Sequence, residues 1–320
     1  MKVYFLNVGH GDMSLVDFDG VFMLIDCKVT STDDDAFKFI DEIISAPEGG
    51  GNKKLDYLVV THTDKDHITG LDTIDENFEI GQIWESGYRR SDDAEESPEY
   101  DVLLDLIERI STKQLKAGSS KLSFSHDGVD AFCLCSKSND NDEVHYNSLV
   151  LKFVKGEKSV IFAGDSNCEA WKNKVVANYP DMLDADILHA SHHGSRSFFF
   201  EESDSDKKNP YTEAIESISP EYTIISGCDP EDKKDKTWPP HDDAIELYQE
   251  YSSDTGGVYI TGKDGHLTFD ISEKIELNSE LSENYVLKKG KYNRYSKLKA
   301  PFVAGIGSPK GKITDASFGK

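Results

Sequence analysis

Residues 61–67 read THTDKDH, directly after the mostly apolar run LDYLVV at 55–60. A short run of that kind is expected of a strand covered on both faces. The segment after it is polar and dense in donors: His62, Asp64, Asp66 and His67 fall within six positions. Along an extended loop the first three alternate, and His67 comes at once after them. Imidazole and carboxylate together suit borderline divalent cations. The bland alternative is a solvated turn. Two further stretches weigh against it. FAGDS (162–166) closes one apolar run with Asp165, and LHASHHGS (188–195) closes another with His192 and His193. Three strands thus deliver carboxylate or imidazole at their C-terminal ends, where a stiff backbone can hold a metal cage in register.

Outward from these motifs, KVYFLNV (2–8), MSLVDF (13–18) and VFMLID (21–26) read as strands, the last two joined by an Asp19–Gly20 hairpin turn. Residues 33–45 carry Phe37, Ile40, Ile43 and Ile44 on one helical face. IGQIWES (80–86) reads as a strand, and SPEYDVLLDLIERI (97–110) as a helix capped by Ser97 with Pro98 at its first position. KLSFS (121–125) and VDAFCLCS (129–136) suggest a strand pair, with Cys133 and Cys135 on the same side. NSLVLKFV and KSVIFAG suggest a hairpin across 155–157, residues 167–178 a helix, EYTIIS (221–226) a strand, and AIELYQEY (244–251) a helix. VYITGKDGHLTFDI (258–271) suggests a terminal hairpin over 263–265. Strands and helices mixed in this order fit two packed mixed sheets with helices outside. The pattern fills residues 1–272, and 273–320 reads as a basic C-terminal tail.

The net charge of −25 is uneven: residues 281–320 hold nine Lys/Arg against two Asp/Glu, so the acidic excess lies in the remainder. An acidic body repels nucleic acid at long range, so any polyanion would need a local basic track. Five cysteines without a CxxC pair suggest a reduced, cytoplasmic protein with buried thiols. No apolar run reaches the roughly 18 residues of a membrane helix, and the first residues turn polar too soon for a signal peptide.

Taken in order, NVGHGDMSLVDF, LIDC, THTDKDHITG, NSLVL, AGD, SHHGS and VYITGKDGHLTF resemble the metallo-β-lactamase fold superfamily, and within it the ComEC-type competence proteins. The resemblance implies a four-layer αββα sandwich and two divalent ions, Zn²⁺ or Mn²⁺, holding a hydroxide. One site would use His62, Asp64 and a third-motif group. The other would use Asp66, His67 and a fifth-motif histidine, with Asp165 bridging. Asp66 would also orient the nucleophile, and Asp26 would fix the loop from behind. Two positions depart from the family pattern. Asp64 stands where most members have histidine, which shifts preference toward harder ions. Asn147 stands where the third-motif histidine should be, with His145 two residues earlier, so the first site would be weak. His192 is preferred over His193 as the fifth-motif ligand, leaving His193 for substrate.

His10 in GHGD would border the cleft, with Asp12 bracing that loop. His241, in WPPHDD, is a candidate acid to the leaving group; the alternative is a plain surface residue. Lys65, Arg196 and the Arg89–Arg90 pair are candidates for phosphate binding, against the alternative of ordinary surface charge. His189 reads as a core histidine, His126 and His266 as solvated. The leading reading is a metal-dependent phosphodiesterase or nuclease acting on a short, single-stranded or small phosphodiester. The alternatives are a hydrolase of carboxylic esters, lactones or amides, and a degenerate binding module. The membrane segments of the ComEC type are missing from this sequence, so a DNA-uptake role does not transfer.

Overall fold

The computed structural model describes residues 1–91, 97–139, 141–203, 207–233, 235–253, 255–272 and 275–278. Among them fifteen strands occur, in chain order Lys2–Phe5 (β1), Ser14–Asp17 (β2), Phe22–Ile25 (β3), Cys27–Lys28 (β4), Lys53–Val60 (β5), Phe78–Glu85 (β6), Thr112–Gln114 (β7), Val129–Cys135 (β8), Val150–Lys155 (β9), Lys158–Phe162 (β10), Ile187–His189 (β11), Tyr222–Ile225 (β12), Gly257–Ile260 (β13), Leu267–Ile271 (β14) and Ile275–Asn278 (β15). They build an eight-stranded sheet in the order β15-β14-β1-β2-β3-β5-β6-β7 and a six-stranded sheet in the order β13-β12-β11-β10-β9-β8.

Alternation along β5 explains the layering. Leu58 and Val60 face one way, into a core shared with Phe37, Ile40, Leu71, Ile74, Leu103 and Leu106 of the covering helices. Val59 and Tyr57 face the other way, into the core between the sheets with Phe5, Trp84, Phe153, Phe162 and Phe269. A strand buried on both faces needs the near-continuous apolar pattern seen in the sequence. A third core lies outside the six-stranded sheet, where Trp171, Val175, Ile215, Ile218, Ala244 and Tyr248 of the helical segments cover Leu188 and Ile225. The result is the expected αββα sandwich. The helix Pro98–Arg109 begins where Ser97 accepts a hydrogen bond from Tyr100 N, and Asp19–Gly20 turns the β2–β3 hairpin with both residues at positive φ.

Three expectations are corrected. The terminal hairpin does not form: β13 pairs in parallel with β12, whereas β14 pairs antiparallel with β1. The chain crosses between sheets through the helical turn Thr261–Asp264, a connection that local turn chemistry cannot distinguish from a hairpin. Residues 121–125 are not a strand; Leu122 N donates to Ala131 O in an irregular loop. Cys133 and Cys135 do not share a side. The register shifts between them, and such a bulge inverts the facing of the residues beyond it. Cys133 therefore enters the core between the sheets and Cys135 the outer one. Of the segment 273–320, Ile275–Asn278 pairs antiparallel with β14; the expected basic tail otherwise lies outside the described residues. No helix among the described residues is long and apolar enough to cross a membrane.

Candidate metal centre

The motifs converge at one end of the sandwich, at the C-terminal ends of β3, β5, β10 and β11. After β5 the chain stays extended through Asp64 and then makes a short helical turn, Lys65–Ile68. That turn sends Asp66 and His67 to different neighbours. Asp66 Oδ2 lies 3.1 Å from His193 Nε2, and His67 Nε2 lies 3.2 Å from Asp165 Oδ1. The loop carrying Gly11 and Asp12 is clamped on the turn by Asp12 N donating to Asp66 O. A Cβ at Gly11 would meet that same carbonyl oxygen at 2.6 Å, and φ is +139°, so only glycine fits the approach.

His192 and His193 have φ of 50° and 54°, and Gly194 continues with 73°. A left-handed non-glycine residue costs on the order of 1–3 kcal/mol and persists only where its surroundings enforce it. Here the turn places successive imidazoles on opposite sides of Asp165. His192 Nε2 is 3.6 Å from Asp165 Oδ2, with its ring 4.4 Å from that of His145. His193 Nε2 is 3.6 Å from the same oxygen and 3.2 Å from His67 Nε2.

Two sets of donors result. One gathers His62, Asp64, His145 and His192 about Asp165: His62 Nε2 is 3.6 Å from Asp165 Oδ2 and 3.8 Å from Asp64 Oδ2, and His145 Nε2 is 3.0 Å from Asp64 Oδ2. The other gathers Asp66, His67 and His193 against Asp165. The structure thus holds a His/Asp cluster able to carry two metal ions.

Each imidazole has an outer partner at Nδ1. His67 Nδ1 lies 2.8 Å from Asp26 Oδ2, and His193 Nδ1 lies 3.0 Å from the Ser226 carbonyl. His62 Nδ1 meets Thr61 Oγ1 at 3.1 Å, and that hydroxyl donates to Asp26 at 2.7 Å. His145 Nδ1 lies 3.3 Å from Glu143 Oε1, and His192 Nδ1 lies 3.0 Å from Ser197 Oγ. A neutral imidazole that donates through Nδ1 presents its lone pair at Nε2. The Nε2 atoms therefore turn inward toward carboxylate oxygens and toward one another. Buried His62 Nε2 and Asp165 Oδ1 have no hydrogen-bond partner. Buried carboxylate oxygens and imidazole nitrogens facing one another call for positive charge, supplied by protons on His67 and His193 without metal, so these residues fit the metal ions that the fold implies.

The charges agree. Asp12, Asp26 and Asp165 are buried, and Asp64 and Asp66 are partly so. Burial alone would raise the Asp165 carboxyl, but the surrounding histidines hold it well below the usual range. The same contest, decided by His193 and His67, lowers Asp66. Burial, aided by His67, pushes His62 down to about 3, and burial lowers His192 to about 4 despite Asp165. Burial opposes charge on His67 and His193 as well, yet both are raised well above the ordinary imidazole value. Asp165 with Asp26 decides it for His67, and Asp165 with Asp12 for His193.

Several expectations about individual residues are corrected. Asn147 faces away from the cluster. Its Oδ1 accepts from Ser138 N at 2.7 Å, and its Nδ2 donates to Asn141 O and Glu143 O. It shapes the turn from which His145 reaches Asp64. His193, not His192, meets Asp66 and His67; His192 stands with His145 across Asp165. His241 is not free for proton transfer. Its Nδ1 accepts from Arg196 N at 3.2 Å, so the proton sits on Nε2, which donates to Thr237 O at 3.0 Å. Lys65 points outward, 65% exposed, to Glu99 at 2.7 Å. Arg196 pairs with Asp243 at 3.0 Å, and Arg89 with Glu85 at 2.7 Å. His266 is buried and accepts from Asn7 N, and His126 meets Tyr57 Oη at 2.9 Å. Asp26 does stand behind the signature loop, accepting from Thr61 N at 2.8 Å. Asp12 lies 3.2 Å from His193 Nδ1. His10 borders the cluster, its Nε2 3.3 Å from Asp66 Oδ2.

Two residues gain importance from the structure. Arg90 donates to Thr63 O and lies 3.9 Å from Asp64 Oδ1, a cation at the rim of the cluster. Trp238 is 58% exposed, and its ring lies 5.5 Å from that of His10. The sequence signals were present but weak: an Arg–Arg pair after a strand, and an aromatic residue in a charged loop.

This architecture and donor set define a protein of the metallo-β-lactamase fold with a centre able to hold two metals. Residues 6–123 match the family model described as the Metallo-beta-lactamase superfamily. Over 207 residues the chain is 27% identical to ComE operon protein 3 of Bacillus subtilis (strain 168), covering 63% of this chain and 23% of that protein. The chain therefore spans less than a quarter of that relative's length. Among solved structures it is similar to CmlA, a diiron β-hydroxylase from Streptomyces venezuelae, with a TM-score of 0.51 and 16% identity, over 84% of this chain and 54% of that one. That likeness concerns the fold alone. Igni18, a metallo hydrolase from the archaeon Ignicoccus hospitalis KIN4/I, gives a TM-score of 0.49 and 18% identity, over 85% of this chain and 100% of that one.

Proposed function

We propose that this protein is a metal-dependent phosphodiesterase acting on a short or single-stranded nucleic acid or a small phosphodiester. One observation carries the reading: inward-turned Nε2 atoms and carboxylates form two donor sets that share Asp165. His62, Asp64, His145 and His192 would hold one ion, and Asp66, His67 and His193 the other. Zn²⁺ and Mn²⁺ both suit this oxygen-rich imidazole set. Two bound ions would supply an activated water and neutralise charge on the phosphate oxygens during an in-line displacement.

The chain's own residues do the rest. Asp66, kept ionised and 22% exposed, would orient the attacking water by accepting its hydrogen bond. His10 faces the same carboxylate oxygen. Arg90, at the rim, supplies a fixed positive charge for a non-bridging phosphate oxygen. Lys65 and Arg196 already have carboxylate partners and drop out of that role. The acidic surface favours a small or single-stranded substrate over a long duplex. The ordinary compartment for such a protein with unpaired, mostly buried cysteines is the cytoplasm.

The test is turnover of bis-p-nitrophenyl phosphate and single-stranded DNA, beside a lactone panel, with Mn²⁺ and with Zn²⁺. Phosphodiester cleavage that Asp66→Ala and Asp165→Ala abolish is expected. Lactone cleavage with inert phosphodiesters would overturn the reading. A protein that binds no ion would instead be a binding module.

A further inference from the structure

We infer that Trp238 is a stacking platform for a nucleobase next to the scissile phosphate, so that the substrate is a phosphodiester carrying an aromatic base. The inference rests on the phosphodiesterase reading and narrows it. Of the three tryptophans, Trp84 and Trp171 are fully buried, and Trp238 stands out at 58% exposed. A single exposed indole needs no explanation by itself; what singles out Trp238 is its place against His10, beside the donor cluster.

Its position is specific. Trp238 lies against His10 with centroids 5.5 Å apart at 35°. His10 lies 4.7 Å from the ring of His193, and His193 is 3.1 Å from Asp66. The open face of the indole is thus one aromatic ring removed from the donors of the second set. A base stacked there would lie on the Asp66 side of the centre, next to a phosphate that the bound ions would hold.

The loop is also braced as a platform needs to be. Lys233 Nζ donates to Trp238 O and Pro240 O, both at 2.6 Å. Asp235 Oδ1 accepts from Thr237 N and Thr237 Oγ1. His241 ties Thr237 O to Arg196 N, hence to the turn carrying His192 and His193. The two otherwise unexplained histidine contacts thus gain a purpose: His241 is a positioning residue that fixes Trp238 relative to the centre. Stacking of this kind reads no base sequence, because every base offers a π-face.

The test compares d(ApA) with the same dinucleotide backbone lacking both bases, using metal-loaded protein. Trp238→Ala should raise KM for d(ApA) by about tenfold, the lower part of the range for losing one stacked base. The abasic substrate should be unaffected, and Trp238→Phe should restore most of the loss. In parallel, AMP should quench the exposed-indole emission of the wild type and leave the emission of buried Trp84 and Trp171 in Trp238→Phe unchanged. Equal effects of Trp238→Ala on both substrates, or quenching that survives in Trp238→Phe, would overturn the inference. If neither substrate is cleaved by the wild type, the phosphodiesterase reading fails, and the quenching arm still decides whether Trp238 binds a base.

Discussion

Replacing Asp26 by Asn tests how the centre is organised, because Asp26 touches no proposed metal position yet orients two of the imidazoles. Its Oδ1 accepts from Thr61 N at 2.8 Å, and its Oδ2 faces both Thr61 Oγ1 at 2.7 Å and His67 Nδ1 at 2.8 Å. An amide can keep the first bond through its oxygen. It then points NH₂ at two groups that now donate. His67 is pressed to move its proton to Nε2, the atom that faces Asp165. His62 is loosened as well, since its partner Thr61 Oγ1 loses its acceptor. Outer partners of ligating histidines typically contribute 10–100-fold in metal affinity, which is about 1.4–2.7 kcal/mol. A ligand at 100 times its Kd stabilises the fold by about 2.7 kcal/mol, so tenfold weaker binding would leave about 1.4 and hundredfold about 0.4. The metal-induced rise in Tm should therefore shrink by half or more at fixed Zn²⁺ or Mn²⁺. Thermal unfolding with and without metal, beside a calorimetric titration, reads this directly. Thr61→Val, which removes the hydroxyl beside His62 and leaves the Asp26–His67 contact in place, should weaken binding less. An Asp26→Asn protein that folds normally and binds metal within twofold of the wild type would refute the idea that Asp26 sets the tautomers.

Acid–base behaviour gives a second check. In the metal-free protein the raised pKa values of His67 and His193 contribute stability that is fully present below about pH 6.5, the unfolded value. That contribution is lost as pH rises through the higher folded values. Metal uptake near pH 7.5 should consequently release about two protons, measurable by titration in buffers of different ionisation enthalpy; no release would contradict the assignment. Asn147→Ala removes three hydrogen bonds from the turn carrying His145 and should cost about 2–3 kcal/mol, with weaker metal binding, as seen in denaturant unfolding with and without metal. Lys65→Ala should leave KM for any phosphodiester unchanged, because Lys65 points away to Glu99; a raised KM in steady-state kinetics would return it to the site. Phe162→Ala, in the core between the sheets, should lower stability by about 3–5 kcal/mol in urea unfolding.

The amino-acid sequence by itself determined the layers and most of the donor residues that gather at one end of them. A strand buried on both faces, such as LDYLVV, announces itself by composition, because all but one of its side chains meet a core. Ligands placed directly after strand ends are legible because the motif and the strand adjoin in the chain. His62, Asp64, Asp66, His67, Asp165 and the histidine pair 192–193 could therefore be named as a set before any coordinates. What only the tertiary structure decided depends on direction and on distant partners. Which of two adjacent histidines faces Asp66 depends on three successive left-handed residues, and composition carries no trace of that. His145 displaces Asn147 because a tight turn rotates one side chain inward and the other onto the backbone. Lys65, Arg196 and His241 look available for substrate until the packing supplies Glu99, Asp243, and the Arg196–Thr237 pair of backbone groups. A residue's type fixes what it can bond to. Only the arrangement of everything around it fixes which of those bonds it has already made.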